Sequence, residues 1–397
     1  LGRLKTLEEW LNWQESLHTQ EIDLGLERIQ KVYQKLFPDG VPFQVITVAG
    51  TNGKGSTIAF IDSIYQQSDF KVGAFTSPHL IKYNERFSVN GEMASDKSIC
   101  QAFDTIEALR GETSLTYFEF STLAALVIFS HKKVEVAVLE IGLGGRLDSV
   151  NVVNPNVSVI TNIAIDHTDY LGDTREAIGF EKAGIMRHDT PCICGDQNPP
   201  TSIQKQADNI DALLLFINEP YHGAITLRGE HQQYNAALAI EAVNQLQSTL
   251  PVDRNQLSTG LQKANILARF QVKIVNNKTI VLDVAHNEAA IKVLAKTLKT
   301  EKIPTLAIFS ALKDKNIELM IGSIESCIDE WLIVPLSVNR AISTHDLVEK
   351  FSLSSKITIC KDMAAALHQA LNTQQQRVVV FGSFHTVADA MNILDKY

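Results

Sequence analysis

The 397-residue sequence predicts an α/β protein: a P-loop-type doubly wound parallel sheet domain followed by a smaller, Rossmann-like α/β domain. Three observations carry this. From Phe43 onward short β-branched runs alternate with segments of helical length, the first run breaks into a glycine-rich loop, and a second strand–helix series begins near residue 270. The length itself exceeds one typical core and suits two domains.

Taken in order, Gln44–Val48, Val72–Thr76, Val134–Ile141 and Val157–Ile163 read as strands, each apolar almost throughout, as strands buried on both faces are. Between them Thr57–Gln67 and Glu119–His131 have helical length and spacing. A loop after an early strand places a ligand at the carboxyl edge of such a sheet. Glu230–Leu246 is an alanine-rich helix, and the region up to about Phe270 is expected to continue helical. Thr279–Val284, Thr305–Phe309, Trp331–Val334, Lys356–Cys360 and Val378–Phe381 are strand candidates of the second domain. Polar Asn276 and Asn277 suggest a turn, which helps place the boundary between about 270 and 277 and divides the chain into 1–272 and 273–397.

Charged residues make up 20% and the hydrophobic set 45%, an ordinary globular composition, and a net charge of -9 argues against a nucleic-acid partner. The five cysteines are odd in number and scattered, so reduced thiols are expected; Cys192 and Cys194 alternate as strand residues rather than ligands. No apolar run reaches the length of a membrane span, and the start, Leu1 to Trp13, is amphipathic rather than signal-like. A cytoplasmic monomer with neither a membrane nor a nucleic-acid partner is the expectation.

Residues 45 to 57 carry the strongest chemical signal. Gly50, Gly53 and Gly55 let the backbone turn sharply and present N–H groups to an anion, Lys54 adds a point charge, and the following helix points its positive end there. Ser56 would set its hydroxyl on a nucleotide-bound Mg²⁺. The standard phosphate loop has four residues between its first glycine and the Gly-Lys pair, whereas here only Thr51 and Asn52 intervene and Gly55 separates Lys54 from Ser56. An ordinary strand-to-helix turn is disfavoured because strand, loop, lysine, hydroxyl and helix come in the order that phosphate binding needs.

Four further clusters lie at strand ends or in loops. Thr76-Ser77-Pro78-His79-Leu80 reads equally as a capped turn or as a metal-directed hydroxyl and imidazole. Glu140 ends an apolar strand, where a lone carboxylate is costly to bury unless it holds a cation, and Gly142, Gly144 and Gly145 after it permit close approach of a ligand. His167 stands between Asp166 and Asp169 near a possible Mg²⁺, but imidazole is an unusual ligand for so hard an ion, and spacing alone favours a structural role. Lys182, within a helical stretch, reads from its surroundings in sequence as a solvated surface lysine.

The phosphate loop Gly50–Ser56, the Ser77–Leu80 turn, Asp166–Asp169 and Glu181–Ile185 together resemble the ATP-dependent ligases that include the muramyl peptide ligases and the folylpolyglutamate synthases. Glu21–Arg28, Tyr83–Phe87, Leu115–Glu119, Glu140–Asp148 and Gly382–Val387 are similar to the folate branch, the bacterial bifunctional dihydrofolate synthases/folylpolyglutamate synthases. The resemblance runs essentially end to end.

It implies an ATP- and Mg²⁺-dependent enzyme that joins L-glutamate to 7,8-dihydropteroate and extends the glutamate tail of folates through an acyl phosphate. Lys54, Glu140, His167 and Lys182 would be the catalytic set. Thr51, Asn52, Gly53, Lys54, Gly55 and Ser56 would hold the triphosphate, with Ser56 and Glu140 on one Mg²⁺ and Ser77, Glu140 and His167 around a second. Asn235 would meet the adenine, Arg269 would reach ATP from the domain junction, and Asp283 and His286 would contact the nucleotide from the smaller domain, so the active site would lie between domains. Asp23, Leu24, Thr116, Tyr117, Phe118, Glu119, Leu147, Asp148 and Ser149 would bind the pteroate. Lys182 matches a lysine that family members carbamylate, a change that needs a neutral amine and is promoted by burial. The chain departs from the family in lacking the Pro-Gly before Arg269 and in carrying Glu288 where a proline follows His286-Asn287. The stretch from about Asp196 to Gly229 is also shorter than in close relatives.

Overall fold

The structure is a computed structural model and describes residues 5–20, 22–352 and 355–395. Residues 1–4 of the amphipathic start, and Glu21 of the first folate-like motif, lie outside the described residues. The chain divides into two compact units, Leu1–Thr226 with Gln232–Asn265, and Leu227–His231 with Ile266–Tyr397.

The strands of the first unit are β1 (Gln44–Ala49), β2 (Val72–Phe75), β3 (Phe87–Val89), β4 (Glu92–Met93), β5 (Val136–Glu140), β6 (Val157–Ile160), β7 (Pro191–Cys194) and β8 (Leu213–Phe216). Among the described residues they form one sheet in the order β4-β3-β2-β5-β1-β6-β7-β8. The stretch from β2 to β8 is parallel, and β3 and β4 close one edge antiparallel. Central β1 is flanked by β5 and β6, and Val45 to Ala49 are all buried, which is why its sequence is apolar on both faces. Edge strand β8 leaves Leu213 and Phe216 exposed.

Two helices of this unit begin at residues singled out in the sequence. Lys54–Gln67 starts directly after Gly53, whose φ of 88° suits glycine alone. Tyr117–His131 opens with a capping box, Thr116 Oγ1 accepting from Glu119 N and Glu119 Oε2 accepting from Thr116 N. Its residues Glu119 to Phe129 are all buried, so this helix is an interior element and not an amphipathic surface one.

The second unit contains β9 (Gln271–Val275), β10 (Lys278–Leu282), β11 (Thr305–Phe309), β12 (Glu330–Ile333), β13 (Ile357–Ile359) and β14 (Arg377–Phe381), ordered β13-β12-β11-β14-β10-β9. All neighbours are parallel except the β9–β10 hairpin. Phe309, Trp331 and Phe381 meet at the centre of its core.

Some local expectations need correction. Helix Glu230–Asn244 does not run on to Phe270: Asp253 caps a separate helix, Arg254–Lys263, and no helix covers 264–270. Asn276 and Asn277 do form a turn, with φ of 50° and 63°, but it joins the paired strands β9 and β10. Strand β6 stops at Ile160, leaving Thr161, Asn162 and Ile163 in the next loop.

Candidate active site

The loop after β1 is built against the loop after β6. A Cβ on Gly50, whose φ is 147°, would lie 1.8 Å from Thr161 Oγ1, and one on Gly53 would lie 2.7 Å from Asn235 Oδ1. Glycine is therefore required at Gly50 by conformation and by space, and favoured at Gly53 by its φ of 88°. Thr51 N donates to Asn162 O at 2.9 Å, Asn52 N donates to Asn162 Oδ1 at 2.8 Å, and Thr161 Oγ1 donates to Asn52 O at 2.6 Å. Thr161 and Asn162 thus shape the cradle. Both lie a few residues before Asp166 and His167, in the loop after β6.

Lys54 folds back over its own loop, its Nζ donating to Gly50 O at 3.1 Å and Thr51 O at 3.3 Å. The same ammonium lies 3.9 Å from Glu140 Oε1, at the carboxyl end of β5. Glu140 is buried, and its Oε2 accepts from Ser77 N at 2.9 Å. The buried carboxylate faces the Lys54 ammonium, and the structure brings Lys54, Ser77 and Glu140 together. Ser56, also buried, accepts from Gln232 Nε2 at 3.2 Å, and Gln232 Oε1 accepts from Asn235 Nδ2 at 2.9 Å.

Lys182 is not the solvated surface lysine that its sequence surroundings suggest. It is buried at 3% exposure on helix Arg175–Ala183, whose backbone packs so closely on the loop after β5 that a Cβ on Gly145 would lie 3.1 Å from Lys182 Cα. Burial, and then the Lys54 charge, push its ammonium down to about 7, with Asp166 and Asp148 opposing. Asp148 is buried too, and burial pushes its carboxyl up to about 7 although the N–H groups of Leu143 and Val150 donate to it at 2.8 and 3.0 Å. His167 is exposed, with φ of 52°, at the head of the short helix Thr168–Leu171.

The residues matched to pteroate binding converge on one region of the first unit. Gly25 N donates to Leu147 O at 3.1 Å, tying the loop that holds Asp23 and Leu24 to the loop that holds Leu147, Asp148 and Ser149. Thr122 and Ser149 hydroxyls meet at 2.7 Å, joining that second loop to helix Tyr117–His131. Phe118 stacks on Phe75, and a Cβ on Gly142 would collide with the Phe118 ring at 2.5 Å. Tyr117 lies under the Arg86 guanidinium.

In the second unit Asp283 follows β10, accepting from Phe270 N and Ala285 N, each at 2.8 Å. Burial pushes its carboxyl up, and Arg269 acts against that. Arg269 lies over the Phe384 ring, against which His286 also packs. Its neighbours Ala268 and Phe270 have φ of 57° and 48°, so Ala268, at the place of the family's missing glycine, holds the left-handed conformation that glycine would take without strain. Nearby His231 is pushed down to about 4 by burial and then by Arg269.

A glycine cradle closed by a lysine that faces a buried strand-end carboxylate has the chemistry to hold a nucleoside triphosphate, and the families the chain matches are those of ATP-dependent ligases of the Mur type. Residues 48–194 match the Mur ligase middle domain, and residues 268–384 match the Mur ligase glutamate ligase domain. The dihydrofolate synthase/folylpolyglutamate synthase of Escherichia coli K12 is 37% identical to this chain over 415 residues, covering 98% of this chain and 96% of that protein. The solved structure of E. coli FolC in complex with DHPP and ADP superposes with a TM-score of 0.92 at 36% identity, over 99% of both chains. A bifunctional folylpolyglutamate synthase/dihydrofolate synthase with Mn, AMPPNP and L-glutamate bound gives 0.90 at 36% identity, again over 99% of both. The chain belongs to the dihydrofolate synthase/folylpolyglutamate synthase family. Its five cysteines are free, and among the described residues no helix is long and apolar enough to cross a membrane.

Proposed function

We propose that this chain is an ATP- and Mg²⁺-dependent ligase that adds L-glutamate to 7,8-dihydropteroate, giving dihydrofolate, and extends the polyglutamate tail of tetrahydrofolates. The observation that carries this reading is the Lys54–Glu140 pair at 3.9 Å beside a cradle that turns on Gly50 and Gly53. End-to-end similarity to family members named for both activities supports the two substrates.

The donors present suit a hard cation, being mostly oxygen: the buried Ser56 hydroxyl, the buried Glu140 carboxylate and Ser77, with His167 as the unusual nitrogen donor. Mg²⁺ held by Ser56 and Glu140, and a second ion by Ser77, Glu140 and His167, would neutralise charge on the phosphoryl oxygens. Thr51 to Ser56 cradle the triphosphate, and Lys54 adds positive charge where the transferring γ-phosphoryl group accumulates negative charge. The substrate carboxylate takes that phosphoryl group and ADP departs. The glutamate amine then attacks the acyl phosphate carbon, a tetrahedral intermediate collapses, phosphate leaves and an amide remains with one proton released.

Asn235 contacts the adenine, and Arg269, Asp283 and His286 contact the nucleotide. Asp23, Leu24, Thr116 to Glu119 and Leu147 to Ser149 hold the pteroate. Lys182 serves as a carbamate: its low ammonium pKa leaves a neutral amine near pH 7, CO₂ adds to Nζ with loss of a proton, and the new anion is stabilised by the Lys54 charge. We place this enzyme in the cytoplasm as a monomer, in keeping with its free thiols.

The test is ADP release with dihydropteroate or tetrahydrofolate, each with and without L-glutamate, and with product masses read out. Glutamate-dependent turnover with both acceptors is expected. Turnover with one acceptor alone makes the enzyme monofunctional; turnover without glutamate, or only with a muramyl nucleotide, overturns the folate reading.

A further inference from the structure

One guanidinium organises the pteroate region. Arg28 Nη1 donates to Asp23 Oδ2 at 2.6 Å, and its Nη2 donates to the Asp23 backbone carbonyl at 2.6 Å, so a single side chain grips the loop by both its carboxylate and its main chain. From the same head, Nε reaches Glu119 Oε2 at 3.4 Å, and Nη2 lies 3.4 Å from Glu119 Oε1. Glu119 is buried at 3% exposure, and its Oε2 also accepts from Thr116 N, so Arg28 fastens the Asp23 loop to the capped start of helix Tyr117–His131. His18 completes the arrangement. Its Nε2 lies 3.0 Å from Asp23 Oδ2, while Nδ1 is held at 3.0 Å by Ser114 Oγ.

Both partners thus converge on the same oxygen of Asp23. Among the described residues, Oδ1 receives no hydrogen bond, although the Asp23 side chain keeps 32% of its surface open. A carboxylate with one oxygen saturated and the other presented is an acceptor for N–H groups of a flat heterocycle. The anchoring of the same loop through Gly25 N to Leu147 O fixes its height against the loop on the other side of the region.

We propose that Arg28, assisted by His18, is a positioning residue for the pteroate: it sets the Asp23 carboxylate so that Oδ1 accepts from the N–H donors of the substrate's fused ring. This rests on the folate reading of the site and names the residue on which acceptor affinity, rather than nucleotide affinity, depends. The grip is two-pronged, and a lysine at position 28 keeps the charge but not the fork.

The experiment measures steady-state kinetics for all three substrates in the native chain, Arg28→Lys, His18→Gln and Asp23→Asn, with a thermal melt of each. For Arg28→Lys the KM for dihydropteroate is expected to rise about tenfold, the scale of a lost hydrogen bond to a charged group, while KM for ATP, KM for glutamate and kcat stay within about twofold. His18→Gln is expected to raise the same KM by less. If Asp23→Asn raises the dihydropteroate KM but Arg28→Lys does not, the positioning role is wrong while the folate site stands. A fall in kcat and a rise in every KM together, following a lowered melting temperature, likewise overturns it in favour of a purely structural part. If the native chain shows no dihydropteroate-dependent turnover, the underlying folate reading fails instead.

Discussion

Replacing Lys182 with methionine isolates what a buried amine contributes to this protein. Burial, with the Lys54 charge second, brings the Lys182 ammonium from its ordinary value of 10.5 down to about 7, and the side chain is only 3% exposed, so solvent relieves little of that penalty. At about 1.36 kcal/mol per pH unit the displacement corresponds to roughly 5 kcal/mol of difference between the charged and neutral forms. The folded-state value is depressed, so between about pH 7 and about pH 10.5 the unfolded chain binds a proton that the folded chain does not. Stability therefore rises with pH across that window, by up to about 1.4 kcal/mol per unit, and below about pH 7 the full cost of a buried ammonium is borne. Lys182→Met keeps most of the length of the side chain and removes the charge. Its stability advantage over the native chain should be largest near pH 6 and should shrink by about 1.4 kcal/mol for each unit between pH 7 and 9. Urea unfolding of both proteins in CO₂-free buffer, read by tryptophan fluorescence, measures the difference and cancels the titrating groups that do not interact with Lys182. A difference that stays flat from pH 6 to 9 refutes the buried-amine argument. With ¹³C-bicarbonate added, the native chain should gain a carbamate resonance, while the methionine variant should show none and should lose turnover.

Three other perturbations probe the cradle and its carboxylate. Gly50→Ala places a methyl group 1.8 Å from Thr161 Oγ1 at a φ of 147°, so ATP binding measured by calorimetry should be lost and the melting temperature lowered; retained nanomolar-to-micromolar ATP affinity would mean that the loop tolerates another path. Gly53→Ala meets Asn235 Oδ1 at 2.7 Å, the end of a side chain that can move by some tenths of an ångström, and should raise the KM for ATP more than it lowers stability. Glu140→Ala removes the buried partner of Lys54 and should cut kcat/KM by at least about a hundredfold, with loss of the Mg²⁺ dependence, whereas full activity would remove Glu140 from the metal site.

What was legible in the sequence was whatever is local. The β1 run, the glycine loop and helix Lys54–Gln67 follow one another within a few residues, and their chemistry is set by neighbours in the chain. The end of β5 was equally readable, because Glu140 breaks an apolar run and its burial follows from its strand. Lys182 misleads on local grounds because its burial arises in the fold, where the loop after β5, earlier in the chain, packs onto its helix. The same holds for Arg28 and Glu119, partners separated by 91 positions, whose bond no spacing rule anticipates. Asn276 and Asn277 carry the composition of a linker and also the positive φ of a tight hairpin, and only the pairing of β9 with β10 tells the two apart. Edge strand β8 is short and leucine-rich, a pattern that serves helix and strand alike.

The ligation turns on ATP activating the substrate carboxylate as an acyl phosphate before glutamate attacks. Dihydropteroate labelled with ¹⁸O in its carboxylate tests this in a single measurement: each turnover should deliver one labelled oxygen to inorganic phosphate, in step with the dihydrofolate formed. Dihydrofolate formation with unlabelled phosphate would contradict the mechanism, because the carboxylate oxygen would then never have carried the phosphoryl group.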